Sequence, residues 1–159
     1  EALDVLSVIL GGSTNSRFRS AMVVDNPVAT HAGAYYDGSP HDYGEFAIFS
    51  EPLPGNSIES IEARLDAQIE RILKDGVTAQ EVADAREVLV RMTIFERDSQ
   101  TQMAQIYGSV LATGGTIADI TQWPERVARV SVEDVNRAAR KWLDIRRSVT
   151  GLLLPKEGS

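Results

Sequence analysis

The chain has 159 residues, 43% of them hydrophobic and 25% charged, the balance of a globular protein large enough for one core without disulfide or metal staples. Sixteen Lys and Arg against 23 Asp and Glu leave a net charge of −7, which argues against nucleic acid or an anionic membrane surface as a partner. The lack of Cys removes thiol catalysis, thiolate zinc sites and disulfide frameworks, and it fits reducing and oxidising compartments equally.

In chain order, Leu3, Leu6, Val8, Ile9 and Leu10 place apolar groups on about half of a helix that Gly11-Gly12 lets stop. Asn15 or Ser16 caps a second, short helix whose buried stripe is Phe18, Ala21 and Met22, and Asp25-Asn26-Pro27 ends it. Residues 28–36 read as a strand with small residues on one face, followed by turn chemistry at 37–41. A second strand through Phe46, Ile48 and Phe49 closes at Pro52 and Pro54, and the short loop between the two predicts an antiparallel pair.

Four or five helices come next. Asn56 and Glu59 form a loose capping pair ahead of Ile58, Ile61, Leu65, Ile69, Ile72 and Leu73, and Gly76 ends that helix. Thr78 and Glu81 form a capping box opening a longer helix that turns Val82, Ala85, Leu89, Met92 and Phe95 to the core. A break at Asp98-Ser99-Gln100 precedes a helix with Met103, Ile106, Tyr107, Val110 and Leu111, which stops at Gly114-Gly115. Residues 117–130 are helical in part, with Pro124 near a helix start, and the 131–134 box caps a helix through Val135, Ala138, Ala139, Trp142 and Leu143. Residues 148–154 read as a strand of the same sheet. Few strands and consecutive helices predict an α+β fold over residues 1–159 as a single domain: a two-layer sandwich, its mostly antiparallel sheet covered by several helices.

The chemistry-bearing residues point to no reactive centre. Neither His31 nor His41 stands in H-E-x-x-H or H-x-x-E-H spacing. His31 reads as a partly buried imidazole hydrogen-bonded to a neighbour, and His41, near Asp42 and Glu45, as part of a solvated loop able to hold a cation only if the loop folds back. Gly11-Gly12-Ser13-Thr14 lacks phosphate-loop spacing, and Glu59, Glu62, Asp66, Glu70, Glu81 and Asp84 are spread among Arg and Lys as on solvent faces. No catalytic, cofactor-binding or metal-binding residue is therefore expected. The aromatic cluster Tyr35, Tyr36, Tyr43, Phe46 and Phe49 reads as core packing, the alternative being a strand edge that receives an extended peptide.

Several runs carry a resemblance. L-G-G-S-T-N-S-R-F at 10–18, P-L-P-G at 52–55, D-G-V-T-A-Q-E-V at 75–82 and V-A-R-V-S-V-E-D-V-N-R-A-A at 127–139 resemble, in order and spacing, the pitrilysin or insulinase-type zinc metallopeptidases, which bind zinc through H-x-x-E-H. These enzymes are built from two homologous halves of two α+β subdomains each, closing around an extended peptide. The resemblance implies the second, C-terminal, non-zinc subdomain of one half. Zinc and its ligands then belong to the full-length parent, in a subdomain upstream of residue 1, and the partners are that subdomain, a second homologous half and a peptide substrate. In the half opposite the zinc, the family's second subdomain carries an Arg and a Tyr that polarise the substrate carbonyl. Alignment on Ser16-Arg17-Phe18 puts Val23 and Thr30 there, which implies the zinc-bearing half or a degenerate one.

Two functions follow from the resemblance: a structural, chamber-lining subdomain of a zinc endopeptidase, inactive by itself, or an inactive homologue serving as a scaffold or peptide-binding subunit of a processing peptidase or larger complex. No apolar run reaches the roughly 18 residues that cross a bilayer, and no signal peptide is present. The chain opens on Glu1 rather than Met and so reads as an excised piece, with any targeting signal upstream. The family resemblance implies a bacterial periplasm or cytoplasm.

Overall fold

The first helix of this chain, buried from Val5 through Leu10, is the rod around which much of the rest packs. In the computed structural model, which describes residues 1–38, 43–96 and 98–154, α1 (Ala2–Ser7) continues without a break into a π-wound turn, Val8–Gly12. Val5, Leu6, Val8, Ile9 and Leu10 are all buried, several of them completely. Phe18 and Met22 close over them from α2 (Arg17–Arg19) and its π-wound extension Ser20–Val24, and both are fully enclosed. Ser16, its backbone extended, takes the cap position of α2, but its side chain makes no capping bond.

Strands β1 (Ala29–Asp37) and β2 (Glu45–Pro52) pair antiparallel, with Gly33 opposite Phe49, Ala34 opposite Ile48 and Tyr36 opposite Phe46. The register slips between Ala29 and His31, leaving Thr30 at a bulge. Ala32 and Ala34 are buried against the helices, so the small residues expected on one face do cover the core. The reason is geometric: a Cβ on Gly11 would lie 2.0 Å from Ala34 N and 2.3 Å from Gly33 C, so the end of the first helix touches the strand backbone to backbone. Only glycine permits that approach.

The helices of the second half are α3 (Ile58–Asp75), α4 (Ala79–Glu96), α5 (Gln100–Ala112), α6 (Ile117–Thr121), α7 (Trp123–Ala128) and α8 (Val132–Trp142). Reciprocal capping boxes open α4 and α8 as expected, through Thr78 with Glu81 and Ser131 with Asp134. A third box, Thr116 with Asp119, opens α6. For α3 the cap is Ser57 rather than Asn56: the Ser57 hydroxyl accepts from Ser60 N at 3.2 Å, while Asn56 donates its amide to Leu53 O. Pro124 sits in the first turn of α7.

Helices cover one face of the hairpin and leave the other open, an α+β arrangement of two layers. Two expectations fail in instructive ways. Met92 and Phe95 are 51% and 66% exposed, because α4 lies on the core through Val82, Ala85, Val88, Leu89 and Val90 and its last turns run past it. The strand expected at 148–154 does not form. After a short 3-10 turn, Ile145–Arg147, the chain runs on in irregular conformation with Val149 and Leu153 almost wholly exposed. Strand propensity expresses fit to a pleated, half-covered surface, and among the described residues β1 and β2 pair with each other alone. No helix of the described residues is long and apolar enough to cross a membrane.

Candidate functional site

Three of the sequence runs singled out above meet at the turn between α3 and α4. Gly76 closes α3 at φ +76°, a left-handed conformation that suits glycine, and its carbonyl accepts from Arg17 Nη2 at 2.9 Å. Arg17 also grips Glu81 in a two-pronged ion pair, Nε to Oε1 at 2.7 Å and Nη2 to Oε2 at 3.0 Å. Glu81 Oε2 in turn accepts from the Thr78 amide and hydroxyl. From α8, Asn136 Oδ1 accepts from Val77 N at 2.9 Å. Partial burial pushes the Glu81 carboxyl up, yet the hydrogen bonds from Arg17 and Thr78 outweigh it and hold the group at about 2. A carboxylate so committed is a structural anchor and a poor general base. Sequence reasoning found the Thr78–Glu81 box but not its link to Arg17 and Asn136. The signal lay in the quoted runs themselves, although nothing in their order says that they converge.

The open face of the hairpin is the opposite kind of surface. Along it the His31 ring stacks on Phe49 at 5.2 Å between centroids, and Tyr35 tilts against the same ring at 6.3 Å. Phe49 spans the strand gap to cover Gly33, where an added Cβ would fall 2.5 Å from Phe49 Cζ. Tyr35 and Phe49 remain 49% and 43% exposed. The aromatic cluster therefore divides: Phe46 and Tyr36 face inward, Phe46 against the core, while Tyr35 and Phe49 face solvent, as does Tyr43. His31 is exposed rather than partly buried, because it belongs to the outward set of β1 residues. The Tyr35 hydroxyl donates to Glu45 Oε1 at 3.2 Å, and the Glu45 charge followed by that bond holds the phenol above its usual value. Glu51 stands opposite His31 in the register.

The remaining candidates fall into place around these two. Val23 packs at the margin of the core, and Thr30 Oγ1 donates to Glu51 O at 3.2 Å, so neither position offers a strong donor to a substrate. Glu59 opens α3, its carboxyl held below the usual range by a backbone hydrogen bond and the Ser57 hydroxyl. Asp84 accepts from Gln80. The His41 and Asp42 expectation lies outside the described residues. Among the described residues no group of three or more His, Cys, Asp or Glu side chains converges as metal ligands would, so the donor set does not fit a zinc ion. A groove of about 480 Å³ runs between the start of α1, α7 and α8, but its Arg126 and Arg137 are already paired with Glu1 and Asp134.

Comparison with known proteins places this fold in a family. Residues 1–89 match the family model described as Peptidase M16 inactive domain. The structure superposes on the inactive peptidase domain of a candidate zinc protease from Bordetella parapertussis with a TM-score of 0.87 at 20% identity, over 99% of this chain and 83% of that one. A candidate zinc protease from Bordetella pertussis Tohama I gives 0.84 at 20% identity, over 98% and 84%. A protease from Helicobacter pylori gives 0.78 at 20% identity over 90% of this chain, which spans only 34% of that longer one. No curated protein matches. With more than half its length matched by the family model, the chain belongs to the M16 peptidase family as an inactive domain.

Proposed function

We propose that this chain is the non-zinc subdomain of one half of a zinc metalloendopeptidase, where it buttresses the zinc-bearing subdomain and lines the peptide chamber with the open face of its hairpin. The observation that carries the reading is the asymmetry of β1 and β2: one face is welded to the helices at Gly11 and Gly33, while the other presents exposed aromatic rings. Aromatic rings grouped on an uncovered sheet face suit a surface that a partner covers. The name of the Bordetella pertussis relative, a candidate zinc protease, supports zinc and peptide hydrolysis in the parent. The ligands for that zinc belong to a companion subdomain, since among the described residues of this chain no ligand set converges.

The test is metal analysis and a quenched-peptide assay, on the chain alone and after fusion to the segment encoded upstream of it. The expected result is no stoichiometric zinc and no cleavage alone, with both appearing in the fusion. Stoichiometric zinc in the isolated chain would overturn the proposal. An upstream segment without H-x-x-E-H would instead assign the chain to an inactive scaffold, the reading that the Val23 and Thr30 positions also admit.

A further inference from the structure

The charge of this protein is not evenly spread. Between Arg19 and Arg64 the chain carries seven Asp or Glu (Asp25, Asp37, Asp42, Glu45, Glu51, Glu59 and Glu62) and no Lys or Arg. The rest of the chain holds the remaining 16 acids against all 16 bases, so the net charge of −7 resides in this one segment. The hairpin lies in the middle of it. On the open face, Glu45 with Asp37 opposite it and Glu51 with His31 opposite it stand at the two ends of β2, and the Tyr35 and Phe49 rings lie between.

We propose that the open face of the hairpin selects extended peptide segments carrying two Lys or Arg side chains six residues apart, with apolar or aromatic side chains between. The proposal rests on the chamber-lining reading above and names its substrate class. Glu45 and Glu51 are themselves six residues apart on one strand, a span of about 20 Å at the rise of a β-strand. An extended peptide lying along β2 repeats that spacing. Its side chains at positions i, i+2, i+4 and i+6 share one side, so cations at i and i+6 meet the two carboxylates while the residues at i+2 and i+4 lie on Phe49 and Tyr35. The rings add to the preference, since a guanidinium or ammonium group is attracted to an exposed aromatic face. An acidic peptide meets the same rings but is repelled by the segment as a whole.

The experiment uses three fluorescein-labelled peptides of the pattern Arg-x-Phe-x-Leu-x-Arg, the second with both Arg replaced by Gln and the third with both replaced by Glu. Binding to the intact 159-residue chain is read by anisotropy at low and high salt, and the contact surface by amide shifts of Gly33 and Phe49. The Arg peptide is expected to bind about tenfold tighter than the Gln peptide, two partly exposed charge contacts at a few-fold each, and the Glu peptide more weakly still. The preference should shrink at high salt. It should also vanish in the E45Q/E51Q double variant, whose circular dichroism should match the parent's. Equal binding of all three peptides with shifts on the hairpin would overturn the charge preference and leave the chamber-lining reading standing. An unchanged preference in E45Q/E51Q would overturn the assignment of the two carboxylates. Shifts confined to other parts of the chain, or no binding of any peptide, would overturn both this proposal and the reading beneath it.

Discussion

Glu81 and Glu45 are both carboxylates on an acidic protein, and their surroundings set them to opposite tasks. Glu81 lies at a turn where two helices, a preceding arginine and a capping threonine all close on it, and its oxygens accept from Arg17 and Thr78. Glu45 sits at the start of β2 on an open sheet face, and accepts from the Tyr35 hydroxyl beside exposed rings. The difference teaches where to look for function in a domain with no catalytic centre of its own. Polar groups that seal the helical layer are spent on architecture, and those that rim the uncovered sheet face remain available to a partner. If that division is right, substitutions at the sealed side should cost stability steeply, and those on the open face should cost little.

The steepest cost belongs to the contact of helix and strand. Gly11→Ala places a methyl group 2.0 Å from Ala34 N, where only main chain can yield. A loss of roughly 3 kcal/mol or more is expected, at the upper end of overpacking effects. Urea unfolding monitored by circular dichroism measures it, and a loss under 1 kcal/mol would show that the first helix can slide off the sheet.

Next comes the anchor. The Glu81 carboxyl is held at about 2 against an ordinary value of 4.5, so the native state binds fewer protons than the unfolded chain in that range. Its contribution is complete above about pH 4.5 and is lost as pH falls toward 2. The full shift sets a ceiling of roughly 3 kcal/mol, and partial exposure to solvent brings the expected figure to about 2 kcal/mol. Glu81→Gln should therefore lose about 2 kcal/mol at pH 7 and flatten the fall in stability between pH 4.5 and 2. Parallel acid dependence in the parent and the variant would mean that Arg17 and Thr78 find other acceptors.

Much of this was legible in the chain. Leu3, Leu6 and Val8 to Leu10 marked a helix that ends near Gly11-Gly12, although its near-complete enclosure did not follow from them, and T-x-x-E and S-x-x-D runs marked the starts of α4 and α8. What one-dimensional patterns could not give was partnership. The Arg17–Glu81 pair spans 64 positions, and no local period encodes it. The same limit produced the errors. Apolar spacing along α4 predicts a buried stripe through Met92 and Phe95, but burial also needs a neighbour, and contact with the core runs out after Val90. Residues 148–154 have the composition of a strand, but among the described residues they join neither edge of the β1–β2 hairpin. At the hairpin, alternation correctly located both strands, whereas which aromatic rings point inward depended on the register with Gly33 opposite Phe49.

A milder break of the sealed side is Gly76→Ala. The left-handed backbone at φ +76° strains any side chain, and the new Cβ would lie 2.9 Å from Asn136 Oδ1, the atom that holds Val77 N. Because a side-chain amide can move aside where main chain cannot, the expected loss is about 1 to 2 kcal/mol, below that at Gly11. Asn136→Ala in the Gly76→Ala background separates the two causes. If the clash contributes, the double variant is less destabilised than the sum of its parts, and if backbone strain alone acts, the two losses add.

The smallest effect should come from the open face itself. Phe49→Ala removes the ring that covers Gly33 and stacks on His31, but that ring is 43% exposed and lies outside the sealed core. A cross-strand aromatic contact of this kind contributes under about 1 kcal/mol, so the variant should unfold within that margin of the parent. Its peptide binding, in contrast, should fall for the Arg and Gln peptides alike, since the lost surface is apolar. A stability loss of about 3 kcal/mol, the size expected of a core aromatic, would place Phe49 among the residues that hold the fold together and erase the distinction between the two faces of the hairpin.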